Sequence, residues 1–354
     1  MAANNRTGDD EVESLIDAAV ELIGPDDPGD YRLKPTQFES HFRESAPDFS
    51  RVLANASLVE TARRYENKSA QARNNQTVFK DLSRRTTWAV FTATVAAALL
   101  AAYPSLDLGQ TPAGKPVVML LGLVSLLAGA YATMSMYRIK GGGYLTRWMN
   151  ARAGADTERL GYFDRLMQIV SDRHAQRPDI ILASLELFRR YQLGMQQTYY
   201  TTRGSEHRQS MDNTLQLGSA ATGLLALASG GAGILGYFQP EFLPLAAVGI
   251  LGTALATVAS RREEINQDER SFERYDRTAD TLSHLREKHT EVQHAVALGD
   301  TKVLTVYVNA VHEQLSLEHR QWLAQSEAIE SAVGKLAQSL KEPSPGADTE
   351  TQNS

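Results

Sequence analysis

The chain has 354 residues, 36 Lys and Arg against 42 Asp and Glu, a net charge of −6 and no cysteine. The missing thiols exclude disulfides, zinc thiolate sites and cysteine nucleophiles, and no cluster of basic residues provides a footprint for a nucleic acid polymer. The mean hydropathy of −0.32 averages strongly polar flanks with long uncharged stretches, so the local pattern overrules the global figure.

In chain order, residues 11–23 are amphipathic and stop at Gly24-Pro25, residues 28–35 are turn-rich, and residues 36–83 are expected to form helices. Four stretches then carry no Asp, Glu, Lys or Arg: residues 86–106, 116–137, 213–238 and 242–260. At about 1.5 Å per residue, some twenty helical residues cross the roughly 30 Å hydrocarbon layer of a bilayer. In hydrocarbon each unpaired peptide group is costly, which makes helix the expected form of all four.

The flanks set the orientation. Arg84 and Arg85 precede the first span, Arg138 and Lys140 follow the second, Arg203 and Arg208 precede the third, and Arg261 and Arg262 follow the fourth. The connectors at residues 107–115 and 239–241 hold Lys115 as their one basic residue. The positive-inside rule therefore points both hairpins outward and puts both termini in the cytoplasm of a cell whose inner membrane holds the chain. The N-terminal region shows no signal peptide, and the sequons at Asn55, Asn67 and Asn75 fall on the cytoplasmic side.

Each hairpin repeats the order polar helix, span, turn, span, arginines, polar helix, with Arg138 corresponding to Arg261. A two-span unit returns the chain to the side it left, so the copies are parallel repeats. Gly141-Gly142-Gly143 lacks the Lys-Ser/Thr of a phosphate loop and reads as a hinge. Leu160, Phe163, Leu166, Met167 and Val170 share one helix face, continued beyond Pro178 by Ile181, Leu185, Phe188 and Leu193. Leu282, Leu285, Val292 and Val296 form a stripe before a turn at residues 298–300. Leu304, Val308, Val311, Leu315 and Trp322 then follow the 3.5-residue period of a coiled-coil seam, so residues 265–340 read as an antiparallel helical hairpin. The polar tail at 341–354 is expected to be disordered.

The fold class is therefore all-α: an integral membrane protein with four transmembrane helices as two parallel hairpin repeats and cytoplasmic helical stalks. The domains are an N-terminal helical region at 1–64, a first hairpin module at 65–178, a second at 179–340 and the tail at 341–354.

Chemistry-bearing motifs are few. The G-x-G-x-x-G match at residues 231–236 lies inside a span with no strand before it, so no dinucleotide cofactor is expected. His312 and His319 share a face but stand two turns apart, about 10.5 Å, while His284, His289 and His294 step by five, so neither set predicts a metal site. No triad or carboxylate pair marks an enzyme. What stands out is the small residues of the spans. Gly218, Thr222, Ala226 and Gly230 form one ridge, Ser125, Gly129 and Thr133 another, and Gly252, Ala256 and Ser260 a third. Such ridges let membrane helices approach closely. Gln216, Ser219, Gly223, Ala226, Gly230 and Gly233 make a weakly polar stripe that either lines a water-filled path in an assembly or packs on another helix of the same subunit.

The run Arg270-Ser271-Phe272-Glu273-Arg274-Tyr275 and the helix from Val311 through Glu318 and Trp322 to Leu323, with weaker counterparts in Arg147-Trp148-Met149-Asn150 and Tyr162-Phe163, resemble the SLATT family over roughly residues 65–335. These are two-span membrane modules associated with nucleotide-synthesising SMODS and ligand-sensing SLOG proteins. The resemblance implies a bacterial effector of conflict or anti-phage systems that forms pores or disrupts the membrane when a nucleotide signal or a cytoplasmic sensor protein releases it. The expected partners are lipid and further copies of the chain, with a non-conducting scaffold or sensor as the alternative.

Overall fold

The computed structural model describes residues 3–27, 33, 39–102, 114–238, 246–266 and 268–339. Among the described residues every regular element is helical. The turn-rich stretch at 28–35 apart from Leu33, most of both connectors, the start of the fourth uncharged stretch and the tail at 341–354 lie outside them.

The chain forms two compact units that alternate along the sequence: unit 1 holds Met1–Asn74, Trp148–Glu206 and Arg270–Ala324, and unit 2 holds Asn75–Arg147, His207–Glu269 and Gln325–Ser354.

In unit 1, helix α1 (Ala3–Ile23) buries Ile16, Ala19 and Ile23 along one stripe. It stops at Gly24, whose φ of 75° is the left-handed cap that glycine adopts without a Cβ penalty, with its N–H on the Val20 carbonyl at 2.8 Å. Helices α2 (Glu39–Ser45) and α3 (Pro47–Leu53) meet through an edge-on Phe42–Phe49 pair at 5.3 Å, with Pro47 opening α3, where a missing N–H costs nothing. Helix α4 (Ala56–Ala102) is capped by Asn55, whose Oδ1 accepts the Ser57 N–H at 3.0 Å.

Helices α5 (Gly114–Gly142) and α6 (Tyr144–Arg173) are separated at Gly143, where φ is 56°. Helix α7 (Pro178–Phe188) begins at the expected proline, with Asp179 in its first turn. The sequence pattern gives α7 one apolar face, yet residues from Ile180 to Phe188 are all buried, Ser184 and Glu186 included. A helix apolar nearly all round must lie in the core. Around it pack Phe163, Leu166 and Val170 of α6, and beyond it a single π-helical turn spans Arg189–Gly194. Then follow α8 (Met195–Phe238), α9 (Ala246–Asn266), α10 (Asp268–Glu287), α11 (His289–Ala297) and α12 (Thr301–Ser339). The helix read ahead of the turn at 298–300 is thus two helices, broken at Lys288, and Gly299 makes that turn with φ 93°. Leu304, Val308, Val311 and Leu315 are buried in the core of unit 1, whereas the side chain of Trp322 is outside the described set.

Four spans follow from the sequence, but only one stretch among the described residues, Gly114–Arg173, is long and apolar enough to cross a membrane, and Leu251–Ser260 is a shorter apolar helix. The physical reason lies in composition. Within its described residues α8 dilutes its leucines with Gly, Ser and Thr, and the apolar run of α9 is short before Arg261 and Arg262. Within the most apolar 18 residues of Gly114–Arg173, only 6% are buried.

Phe188 is fully buried, with ring contacts to Phe163 at 5.5 Å and His312 at 5.7 Å. Phe188→Ala is expected to cost about 3–5 kcal/mol of unit 1 stability, read as a lowered denaturation midpoint of the full chain by tryptophan fluorescence.

Candidate functional site

In the apolar helices of unit 2 the fully buried positions are mostly small, Met136 and Ile139 of α5 excepted, and many of the large side chains lie outward. On α5, Ala132, Ser135 and Met136 are buried and Ser125, Ala128 and Gly129 half-buried, at steps that repeat every seven residues. The bulky residues Met119, Leu126 and Met134 face outward, Leu126 at 69% exposure. On α8 the buried positions Thr214, Ala221 and Ala228 stand seven apart, and Leu227 is 73% exposed. A water-soluble core has the opposite arrangement, because burying a leucine in place of an alanine removes more apolar surface from water.

The small seams bring backbones together. A Cβ added to Gly252 of α9 would stand 2.8 Å from the Ala221 carbonyl oxygen and 3.0 Å from the Leu225 nitrogen of α8, while one on Gly249 would meet the Ala228 Cβ at 3.4 Å. Ser125 Oγ donates to the Ala93 carbonyl of α4 at 3.3 Å. At the base of α8, the buried Asp268 carboxylate receives Ser210 Oγ at 2.6 Å and lies 2.7 Å from His207 Nδ1.

The residues singled out in the sequence divide between these faces. Gly252 is buried against α8, Ala256 and Gly129 are half-buried, and Ser125 bridges α5 to α4. Gln216, Ser219, Thr222, Gly223 and Gly230 are exposed on unit 2, away from the seam to α9, and a Cβ added at Gly218, Gly223 or Gly230 would meet nothing within 4 Å. The hydroxyls of Ser219, Thr222 and Thr133 donate to carbonyls four residues back in their own helices. The side chain at position 233 lies outside the described set. Sequence reasoning missed Ala221 and Ala228. Their step of seven was the available signal, hidden because alanine is common throughout α8.

Unit 1 has a polar interior that the sequence did not disclose. Glu186, fully buried on α7, lies 2.5 Å from His289 Nε2 and accepts Gln293 Nε2 at 2.7 Å and Arg189 Nε at 2.6 Å. Burial pushes its carboxyl up, but the hydrogen bonds and charges of His289 and Arg189 outweigh this and hold it below the ordinary value. Arg189 also reaches Asp26 at 2.6 Å, and Arg286 reaches the other Asp26 oxygen at 2.7 Å.

A second buried guanidinium, Arg159, donates to Gln192 Oε1 at 2.8 Å, to Tyr65 Oη at 3.1 Å and to the Tyr191 carbonyl. It borders a cavity of about 360 Å³ whose walls include Asp156, Gln192, Tyr200, Glu318 and Arg320. Burial and the adjacent Glu318 carboxylate push the Tyr200 phenol well up, so it stays protonated and donates to Glu318 Oε2 at 2.9 Å. Among the described residues no grouping of His, Asp and Glu is arranged to hold a metal ion.

Two outcomes follow. Gly252→Ala is expected to lower stability by about 1–3 kcal/mol through overpacking, whereas Gly223→Ala leaves it unchanged or raises it by up to about 1 kcal/mol, both read by thermal melting in detergent. Glu186→Gln removes one partner of a buried charge group at a cost of about 3–5 kcal/mol. Because the folded carboxyl is depressed, its stabilisation is full above the unfolded value of 4.5 and fades as pH falls through the folded value. The gap between wild-type and variant melting temperatures should therefore close on acidification below about 4.5.

The comparisons with known proteins return no match to this chain, whether against protein-family models, curated proteins or solved structures.

Proposed function

We propose that this chain is a multipass membrane effector with four spans, both termini cytoplasmic, which associates through the small-residue ridge of α8 and opens a conductive path across the inner membrane. The observation that carries the reading is the inverted packing of unit 2. Large aliphatic side chains turned outward are stable where the surroundings are as apolar as leucine, and helices in that medium associate by close contact of small residues rather than by hiding large ones from water. The uncharged stretches beyond Gly114–Arg173 and the arginines flanking them support the further spans and their orientation.

Gly218, Thr222, Ala226 and Gly230 contact no α9 glycine and are open on α8, which leaves them to a second copy. Hydroxyls already satisfied within their own helix can sit at such an interface without an unpaired group. The contact between α8 and α9 leaves no room for a channel inside the pair, so conduction requires several copies. The resemblance to SLATT modules supports a release by a nucleotide signal or sensor protein.

The alternative is a non-conducting membrane scaffold that recruits cytoplasmic partners through unit 1. The hydroxyls of Ser219 and Thr222 spend their protons on their own helix, which suits a face that packs on a partner as well as one that lines a path.

Alkaline carbonate washing is expected to leave the chain in the membrane pellet. Induced expression in cells loaded with a potential-sensitive dye is expected to collapse the potential. Gly230→Leu should abolish the collapse while leaving insertion intact, because a Cβ at that position meets nothing within 4 Å. Extraction by carbonate rejects the membrane reading. A steady potential with inserted, folded, activated protein rejects the pore and leaves the scaffold.

A further inference from the structure

The geometry points to a binding site in unit 1 for a small zwitterion of the amino-acid class, in the cavity bounded by α6, the start of α8 and α12. Its volume of about 360 Å³ falls in the range of small-molecule sites, and the site is independent of the lipid reading. Three separated stretches build the walls: Asp156 and Asp164 from α6, Gln192 and Tyr200 from the π-turn and α8, and Glu318 and Arg320 from α12.

Two wall residues are almost wholly buried and only half satisfied. Gln192 has no exposed surface. Its Oε1 accepts Arg159 Nε at 2.8 Å, which fixes the orientation of the amide, and its Nε2 has no hydrogen-bond partner among the described residues. Glu318 is 3% exposed. Its Oε2 accepts the Tyr200 hydroxyl, and its Oε1 makes no hydrogen bond, with Arg274 Nε at 3.4 Å as its charge partner. Both atoms belong to residues of the cavity wall but expose almost no surface of their own, so a ligand reaches them as the wall yields; a buried donor or acceptor left unmet is costly, and one of each calls for a complement carrying both an acceptor and a donor.

Charge narrows the class. Arg320 stands at the rim and forms no ion pair among the described residues, while Asp156 and Asp164 are 38% and 46% exposed and engage His319 and His312. A multiply charged phosphate would face the carboxylates of Asp156, Asp164 and Glu318, and a polyamine would face Arg159 and Arg320. A zwitterion meets both signs: its carboxylate takes the Gln192 amide N–H and the Arg320 guanidinium, and its ammonium takes the acidic wall.

The test is thermal melting of the purified full chain in detergent with each standard amino acid singly at millimolar concentration, and with inorganic phosphate as the anionic control. A saturable rise in Tm is expected for a subset of the amino acids and none for phosphate. Gln192→Glu keeps the acceptor for Arg159 but replaces the unpartnered N–H with an oxygen that repels the ligand's carboxylate, and is expected to weaken binding at least tenfold. Arg320→Ala, exposed at the rim, should weaken it severalfold and carries the test if the first variant does not fold. No response to any amino acid, an equal response to phosphate, or undiminished binding by a folded Gln192→Glu or by Arg320→Ala overturns the site.

Discussion

Two helix backbones can touch only where the side chains between them are small, and that constraint shapes unit 2. At Gly252 the α9 backbone lies so near the Ala221 carbonyl that even a methyl group would intrude. Alanine at 221 and 228 keeps the facing side of α8 equally flat. Once the seam has been given to small residues, many of the leucines and methionines, such as Met119, Leu126 and Leu227, lie outward. The same choice that permits close packing thus creates an exposed apolar surface on unit 2.

Unit 1 solves a different problem. Its core is conventional in burying Phe163, Phe188, Leu182 and Leu304, but it also encloses Glu186 and Arg159. Each is neutralised or hydrogen-bonded by groups far away in sequence. Glu186 of α7 depends on His289 and Gln293 of α11, and Arg159 of α6 on Tyr65 of α4 and on the π-turn. Removing any one partner strands a charge in a medium that solvates it poorly, so these contacts fix which helices may neighbour which.

The all-helical class was legible because periodicity is a local property: Phe163, Leu166 and Val170 announce their shared face within two turns. Terminators were legible too, since Gly24, Pro178 and Gly299 act through their own backbone chemistry. The full burial of α7 was not, because an apolar run with one glutamate looks amphipathic until the partner of that glutamate is known. His289 stands 103 residues from Glu186, and no spacing rule links them. The ridge on α8 illustrates a finer limit. Small residues at 218, 222, 226 and 230 and at 221 and 228 all satisfy a helical repeat, and only the position of α9 decides which set is covered.

The end of α1 carries a consequence of its own. Its last carbonyls, at Ile23 and Gly24, accept the guanidinium groups of Arg190 and Arg189, and Asp26 just beyond balances Arg189 and Arg286. Cations at a helix C-terminus are stabilised by the peptide dipoles as well as by the carboxylate. Trimming the chain past Asp26 would do more than shorten it. Arg286 would lose its carboxylate partner and Arg189 would keep Glu186 alone, so Asp26 serves as an electrostatic keystone for residues encoded far downstream.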